Sequence, residues 1–256
     1  HNHPDVARFD LSSIKLCISG SAPLSVDVME RFERLTGARI VEGYGLSETS
    51  PVAHVNPLRA RRNGTIGVPV SSTRARIVAL DDPERELGVG EEGELAISGP
   101  QVMRGYWNRP EETAEVLRGA WFLTGDLAVR DADGFFRIVG RKKDMINVSG
   151  FKVYPDEIDK LLLGLPQVLE VASIGVQRDG RECVKSYVVL KPGAALDADA
   201  IRAHCRAHLA PYKVPREVEY LSELPKSTVL KVLRRELRER DRREQAERGA
   251  PGQAAG

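Results

Sequence analysis

Two apolar runs flank an amphipathic segment near the start of the chain, and this pattern constrains the fold most. Residues 14–19 (IKLCIS) are apolar, partly β-branched and followed by glycine, which predicts a buried strand. The segment SVDVMERFERLTG begins at Ser25 and ends at Gly37, and its helical spacing predicts a capped amphipathic helix. A second strand, Arg39–Glu42, runs into the turn GYGLSE. This order indicates an α/β unit, in which ligands bind where strands end.

The pattern changes from Gly64 to Val139. Short alternating runs such as ARIVAL and GELAIS are separated by Gly, Pro and Asp turns, which predicts antiparallel strands with one short helix after Pro110. A smaller α+β unit starts near Arg141. Its predicted elements are a helix at 155–163, strands near 170–177 and 184–191, a helix from Asp197 to about 209, the strand VEYL and a last helix from about Leu233.

The segment GRKKD at 140–144 is charged and poor in apolar residues, as linkers between domains are. We therefore expect residues 1–140 to form part of one domain and residues 141–240 to form a second. The end from Arg238 to Gly256 alternates charges and then runs into Gly, Ala and Pro, which predicts a solvated helix that frays into a disordered tail at 241–256.

Composition excludes some functions. The chain has 38 basic and 37 acidic residues, a balance that gives no reason to expect a nucleic-acid partner, and acids interrupt its basic segment RRELRERDRR. No apolar run approaches the roughly 18 residues of a membrane helix, and the polar start HNHPDVARFD predicts no signal peptide. The first residue is His, as expected of a fragment. The 3 cysteines form no disulfide framework and favour a reducing cytoplasm.

Three short motifs could carry chemistry, but each is weak alone. The turn GYGLSET at 43–49 could hold a phosphate while Glu48 binds its Mg²⁺, or it could be an ordinary turn. In TGD at 124–126, Asp126 could accept hydrogen bonds from ribose hydroxyls or simply close a turn. Lys231 lies between a proline-led loop and a helix, where most lysines are solvated.

Together, six motifs form a collinear series that resembles the core motifs of the adenylate-forming superfamily, which contains acyl-CoA synthetases, luciferases and peptide-synthetase adenylation domains. The resemblance covers residues 10–240. The motifs are SGSAPL (19–24), EGYGLSETSP (42–51), GELAISGPQVMRGYW-x-RPEET (93–113), WFLTGD (121–126), GRKKDMINVSGFKVYPDEI (140–158) and PKSTVLKVLRREL (225–237).

The segments VEGYGLSETSP and DMINVSGFKVYPDEI are most similar to those of bacterial long-chain fatty-acid ligases. The resemblance implies the C-terminal part of a large AMP-binding domain, α/β with a strand-rich subdomain, followed by a small mobile α+β domain. It implies that ATP and a fatty acid give an acyl-adenylate and pyrophosphate, and that coenzyme A then displaces AMP. The implied ligands are ATP or AMP, Mg²⁺ and coenzyme A, in the cytoplasm.

The resemblance also assigns roles at the nucleotide. Tyr44 would stack on adenine, and Asp126, assisted by Arg141, would bind the ribose hydroxyls. The other residues implied to line the adenine pocket are Ser21, Ala22 and Gly43.

Further assignments concern the reaction and its two steps. Ser47 would contact the α-phosphate, Glu48 would bind Mg²⁺, and Lys231 would bridge the carboxylate and the α-phosphate, so that electrostatics stabilise the developing charge. Lys143 would be the hinge about which the small domain rotates between half-reactions. After rotation, the turn Ser149–Gly150–Phe151 would line the tunnel for pantetheine.

Two departures from the family pattern matter. The family's phosphate-binding loop precedes the first motif and is absent from this sequence, so we expect the chain alone not to form adenylates. Leu230 occupies the position of the usual Gly before the catalytic lysine. If that position needs a positive φ, Leu would cost about 1–2 kcal/mol.

Several alternatives stay open. The carboxylate could be an aryl or medium-chain acid, and the chain could be a non-catalytic AMP-binding or scaffolding module. The presence of Glu48, Asp126, Arg141 and Lys231 argues against the second alternative. A peptide-synthetase adenylation domain would usually be followed by a carrier domain, whereas this sequence runs into GAPGQAAG. The resemblance leaves open peripheral membrane association and homo-oligomerisation of a parent protein.

Overall fold

A computed structural model describes residues 5–21, 24, 26–228 and 231–249. The chain divides between Val139 and Gly140 into two units, and each has its own buried apolar clusters. The division falls inside a strand, Phe136–Arg141, and not in an extended linker. Within the described residues, no helix combines the length and apolar character needed to span a bilayer.

The first unit begins with the predicted strand–helix–strand pattern. Strands β1 and β2 are parallel, and the helix α1 connects them. Antiparallel strands β3 and β4 extend this sheet in the order β1-β2-β3-β4. The bounds are Leu16–Ser19 (β1), Val26–Thr36 (α1), Arg39–Gly45 (β2), Val52–Val55 (β3) and Val68–Pro69 (β4). The predicted helix cap, Ser25, lies outside the described residues.

The prediction that β1 is buried is wrong. Ile18 is 71% exposed and Leu16 is 43% exposed. Among the strands of the described residues, β1 lies at the edge of its sheet and pairs with β2 alone. An apolar run predicts a strand from its side chains, but it does not tell whether another layer covers that strand.

The rest of the first unit is the expected antiparallel, strand-rich part, with sheet order β5-β6-β8-β7 and β9 paired with β8. A buried cluster that includes Ala53 of β3 and Leu95 of β6 joins the two sheets. The bounds are Arg74–Val78 (β5), Gly93–Ser98 (β6), Pro110–Val116 (α2), Leu117–Arg118 (β7), Trp121–Arg130 (β8) and Phe136–Arg141 (β9).

The second unit is α+β, as predicted, and adds a small hairpin before its first helix. Its main sheet has the order β12-β13-β14. Asp197 caps its second helix by accepting a hydrogen bond from Ala200 N at 2.6 Å. The bounds are Ile146–Val148 (β10), Phe151–Val153 (β11), Pro155–Leu163 (α3), Val168–Arg178 (β12), Arg181–Leu190 (β13), Ala198–His208 (α4), Glu217–Tyr220 (β14) and Arg234–Gly249 (α5).

Alternate residues of β12 enter two buried clusters, so the sheet is apolar on both faces. Ile158 of α3 and Ile201 of α4 pack in one cluster with Val171. Leu237 of α5 packs in the other cluster with Ile174. Helix α5 is therefore part of the unit's core.

The predicted disordered tail at 241–256 is wrong for residues 241–249, which belong to α5. Asp241 is 4% exposed, and its Oδ1 lies 2.7 Å from Arg178 Nη2 and 2.9 Å from Lys185 Nζ. The sequence suggested a solvated helix face because acids and bases alternate along it. The two cations lie on β12 and β13, and only the fold brings them to α5. Residues 250–256 lie outside the described residues.

Candidate active site

Strand β1 ends beside the last residues of β2, at one edge of the sheet. The strands are parallel and in register with Ser19 opposite Glu42, and β2 continues to Gly45 beside β3. A Cβ built on Gly20 would lie 3.2 Å from Gly43 O, which shows how closely the two backbones approach. Ser21 follows with a φ of 67°. The structure thus brings Ser21 and Gly43 to one edge, whereas Ala22 lies outside the described residues.

Tyr44 and Asp126 are directly bonded. The Tyr44 hydroxyl donates to Asp126 Oδ2 at 2.6 Å, across 82 residues of sequence. Asp126 is 3% exposed, and its backbone N donates to Thr124 Oγ1 at 3.1 Å. Thr124 in turn donates to Leu95 O at 2.8 Å. These bonds attach the TGD turn to the sheet and fix the position of the carboxylate beside the tyrosine.

His54 lies behind Tyr44 and is fully buried. Its ring centroid is 5.8 Å from that of Tyr44 and 4.9 Å from that of Phe136, both edge to face. Neither ring nitrogen has a hydrogen-bond partner among the described residues. Burial lowers the pKa of His54 to about 3. The imidazole is therefore neutral at ordinary pH and acts as packing behind the tyrosine.

A compact turn carries Ser47 and Glu48. Leu46 N donates to Pro51 O at 2.9 Å, and the buried Thr49 hydroxyl donates to the same carbonyl at 2.7 Å. A Cβ on Gly45 would lie 1.7 Å from Pro51 O, so the turn requires glycine there. Ser47 is exposed on the short 3₁₀ helix Ser47–Thr49, and Glu48 is half-buried.

Glu48 has a partner that the sequence did not reveal. The Tyr106 hydroxyl donates to Glu48 Oε1 at 2.9 Å, and Met103 N donates to Glu48 O at 2.8 Å. Burial, together with this bond to Glu48, raises the pKa of Tyr106 to about 12, so the phenol keeps its proton. The only signal for Tyr106 in the sequence was its place in the motif GPQVMRGYW, to which no role was assigned.

The Glu48 carboxylate is suited to bind Mg²⁺ in the way that is usual in nucleotide-binding proteins. The described residues contain no group of three or more His, Cys, Asp or Glu side chains that could cage a metal. Mg²⁺ usually needs only one or two protein carboxylates, because substrate phosphates and water complete its octahedron. The structure shows no partner for Glu48 Oε2 among these residues, which leaves a hard oxygen available.

In the second unit, Lys231 is exposed at the base of a closed loop. An antiparallel bridge joins Lys226 to Val232, and Ser227 N donates to Lys231 O at 2.8 Å. Lys226 also forms an ion pair with Glu170. The loop is thus fastened on both sides of the lysine, although Leu230 lies outside the described residues.

The predicted hinge segment is anchored immediately after Lys143. Lys142–Asp144 form a short 3₁₀ helix in which Lys143 is exposed and Asp144 is 9% exposed. Both terminal nitrogens of Arg238 lie 3.0 Å from Asp144 Oδ1. Arg141, just before the segment, is half-buried at the end of β9.

Arg234 extends this anchor to α3. Its guanidinium forms an ion pair with Asp156 and another, at 2.8 Å, with Asp159 Oδ2. Burial raises the pKa of Asp159 to about 6, although Arg234 acts in the opposite direction. The other carboxylate oxygen of Asp159, Oδ1, accepts a hydrogen bond from Ser173 N at 2.8 Å. Because Arg234 is only three residues after Lys231, this cluster fixes the start of the helix that follows the lysine.

The turn Ser149–Gly150 connects β10 to β11. Both residues have positive φ values, 52° and 91°, as the two-residue type I′ hairpin requires. Gly150 N donates to Asn147 Oδ1 at 2.8 Å. Phe151, 55% exposed, stacks on Tyr212 with ring centroids 4.5 Å apart. The sequence did not predict this contact with Tyr212.

Two family models match the chain. A model described as AMP-binding enzyme matches residues 1–107, and one described as AMP-binding enzyme C-terminal domain matches residues 157–231. Together they cover well over half of the chain. The chain belongs to the AMP-binding enzyme family. Tyr106 lies within the first matched range, and Lys231 is the last residue of the second.

Curated proteins and solved structures are also similar to this chain. The long-chain-fatty-acid–CoA ligase of Bacillus subtilis (strain 168) is 48% identical over 242 residues, which are 94% of this chain and 43% of that protein. The chain therefore spans less than half the length of this curated relative. Among solved structures, the anthranilate CoA ligase AuaEII in complex with anthranoyl-AMP has a TM-score of 0.85 at 31% identity, covering 95% of this chain and 48% of that one. ATP-bound MatB from Rhodopseudomonas palustris has a TM-score of 0.83 at 36% identity, covering 88% and 45%.

Proposed function

We propose that this chain is part of an AMP-forming acyl-CoA ligase that activates a long-chain fatty acid. The observation that carries the proposal is the Tyr44–Asp126 hydrogen bond. The two residues come from separate motifs, and the family resemblance assigns one to adenine and the other to ribose. Their contact supports a single adenosine site in the first unit.

The nucleotide would be held by complementary chemistry. The Tyr44 ring offers a flat surface for adenine, and the Asp126 carboxylate offers acceptors for ribose hydroxyls. Ser21 and Gly43 would line the base, a role that the resemblance also assigns to Ala22, and Arg141 would assist at the ribose. ATP-bound MatB and AuaEII with anthranoyl-AMP support a nucleotide or acyl-adenylate as the ligand.

The reacting groups would be held by Ser47, Glu48 and Lys231. The Ser47 hydroxyl would donate to the α-phosphate, and Glu48 would hold Mg²⁺, which neutralises phosphate charge when bound. The Lys231 ammonium would orient the carboxylate and stabilise charge as its oxygen attacks the α-phosphorus. The fastened loop around Lys231 supports this assignment, because a catalytic ammonium must be positioned before reaction.

The second half-reaction would use other parts of the second unit. The Ser149–Gly150–Phe151 turn would line the path of the pantetheine arm of coenzyme A. Lys143 would serve as the hinge between the two half-reactions. Its exposure beside the anchored Asp144 supports a single adjustable position. All three cysteines are free, which suits a reducing cytoplasm.

An aryl acid is the second candidate substrate, because the structural relative AuaEII is named for anthranilate. The 48% identity to a long-chain-fatty-acid–CoA ligase favours the fatty acid. The deciding experiment gives the full-length protein ATP, Mg²⁺, coenzyme A and a panel of long-chain, medium-chain and aryl acids. We expect long-chain acyl-CoA and AMP. Preference for an aryl acid would change the substrate, and absence of any acyl-adenylate would reject the ligase.

A further inference from the structure

We propose that Tyr106 is a positioning residue that orients the Glu48 carboxylate toward a divalent cation, an inference that rests on the proposed function. The phenol donates to Oε1 at 2.9 Å. With Oε1 held, the carboxylate can no longer rotate freely, and Oε2 has no partner among the described residues. Carboxylates that bind metals are commonly held by such hydrogen bonds, and losing one typically costs about 10–100-fold in metal affinity or activity.

The loop that carries Tyr106 is built to aim it. Tyr106 N donates to Thr113 Oγ1 at 2.9 Å, and this hydroxyl donates to Arg109 O at 2.6 Å. Gly105 has a φ of 150°, and a Cβ there would come within 2.8 Å of Thr113 Cγ2. Gly105 thus packs against Thr113, the residue whose hydroxyl accepts the hydrogen bond from Tyr106 N.

The same loop is tied to the Glu48 backbone as well. Met103 N donates to Glu48 O at 2.8 Å, so the residue is held by one bond at its main chain and one at its side chain. Two attachments from one loop restrict both the position and the rotation of Glu48. Tyr106 is half-buried, whereas its neighbour Trp107 is 89% exposed.

A phenol suits this task better than a cationic donor. An ammonium or guanidinium at the same place would neutralise the carboxylate and repel Mg²⁺. The neutral hydroxyl leaves the full negative charge on Glu48 while fixing its geometry.

The test compares Tyr106→Phe with Trp107→Phe in the full-length protein. Binding of Mn²⁺ in the presence of ATP is measured by electron paramagnetic resonance, and the Mg²⁺ concentration for half-maximal adenylate formation is measured separately. We expect Tyr106→Phe to raise the Mn²⁺ dissociation constant and the Mg²⁺ requirement about 10-fold or more. Trp107→Phe should match the parent, because its side chain points into solvent.

AMP binding by calorimetry checks that the first unit of Tyr106→Phe is intact, since Tyr44 and Asp126 remain in place. Unchanged Mn²⁺ affinity and Mg²⁺ requirement in this variant would overturn the positioning role, even if its activity fell. The proposed function has a separate outcome. If the parent forms no acyl-adenylate, the ligase assignment fails, while the Mn²⁺ comparison still decides the role of Tyr106.

Discussion

The hydroxyl of Tyr44 lies 2.6 Å from Asp126 Oδ2, so the motif on β2 and the motif on β8 share one hydrogen bond. Asp126 is nearly inaccessible, and its backbone is attached to Thr124. A buried carboxylate without this donor would lose part of its orientation. The pair is therefore a single structural element of the proposed adenosine site, and a change at either residue should affect both.

Tyr44→Phe should weaken AMP binding by about tenfold or more, because the aromatic surface remains but Asp126 loses the hydrogen bond that orients it, and a hydrogen bond to a charged group contributes about 1.5–3 kcal/mol. Calorimetry with the 256-residue chain measures this change in affinity. Tyr212→Phe, in the second unit, is the control and should bind AMP as the unchanged chain does.

The unchanged 256-residue chain should bind AMP more tightly than ATP, since its sequence lacks the family's phosphate loop. Tighter binding of ATP that does not depend on Asp126 would point to a different nucleotide site.

Lys231→Ala in the full-length protein should lower acyl-adenylate formation on the order of 10²–10³-fold, as removal of one preorganised electrostatic group does. Thioester formation from synthetic acyl-adenylate should change much less. Lys160→Ala, on an exposed position of α3, is the matched control. Equal loss in both half-reactions would mean that Lys231 has a structural role instead.

Lys143→Pro should impair the second half-reaction and spare the first, which is the reverse of the effect expected for Lys231→Ala. Proline holds φ near −65° and restricts the preceding residue, so the hinge loses its freedom while both cores remain. Adenylate formation should persist, and transfer to coenzyme A should fall by orders of magnitude. The two steps are assayed separately in the full-length protein. Thioester synthesis at the parent's overall rate would contradict the hinge assignment.

His54 should make stability depend on pH. In the unfolded chain its pKa is about 6.5, whereas burial lowers the folded value to about 3. As pH falls from 6.5 toward 3, the unfolded state gains a proton that the folded state does not, so stability decreases. The loss between pH 7 and pH 5 should be about 2 kcal/mol.

His54→Leu removes the titrating group and keeps an apolar side chain between Tyr44 and Phe136. Urea unfolding of both proteins at several pH values measures the difference, and other titrating groups cancel in it. The two proteins should diverge in pH dependence below pH 6.5. Parallel curves would show that the folded imidazole accepts a proton.

Arg234→Met should destabilise the second unit by about 3 kcal/mol, because removing one partner of a largely buried ion-pair cluster leaves carboxylates uncompensated. Those carboxylates are Asp156 and Asp159, whereas Asp144 keeps its contacts with Arg238. Arg235→Met is the adjacent control, since Arg235 is 86% exposed and forms an ion pair with Glu239 one turn along the helix. That change should stay within about 0.5 kcal/mol in urea unfolding. If both variants changed the free energy of unfolding equally, the ion-pair cluster around Arg234 would contribute nothing to stability.

Local signals predicted much of the fold. Pro155 and Asp197 mark helix starts by their own chemistry, and alternation predicted the strands after Gly64. Contacts between distant residues could not be read this way. Nothing local to Tyr106 indicates that its hydroxyl meets Glu48, 58 positions earlier. The exposure of Ile18 likewise depends on the position of β1 in its sheet.

The candidate site shows the same limit. Six motifs in order predicted Tyr44, Glu48, Asp126 and Lys231 as site residues, because the order of motifs can be recognised without knowledge of contacts. The contacts that connect one motif with another were not predicted: Tyr106 donates to Glu48, and Tyr44 donates to Asp126. The alternating charges of α5 indicated a solvated helix, whereas Asp241 is buried against Arg178 and Lys185.

The attachment of α5 has a consequence for the order in which the second unit assembles during translation. Helix α5 supplies Arg234, Arg238 and Asp241, yet it follows all of its partners in the chain. While the nascent chain still holds α5 in the ribosomal exit tunnel, Asp144 and Asp159 have no arginine from it, and Leu237 is missing from the core. The cluster that contains Ile158 and Ile201 needs no residue of α5 and can pack earlier, whereas the opposite face of the sheet is covered only when α5 emerges.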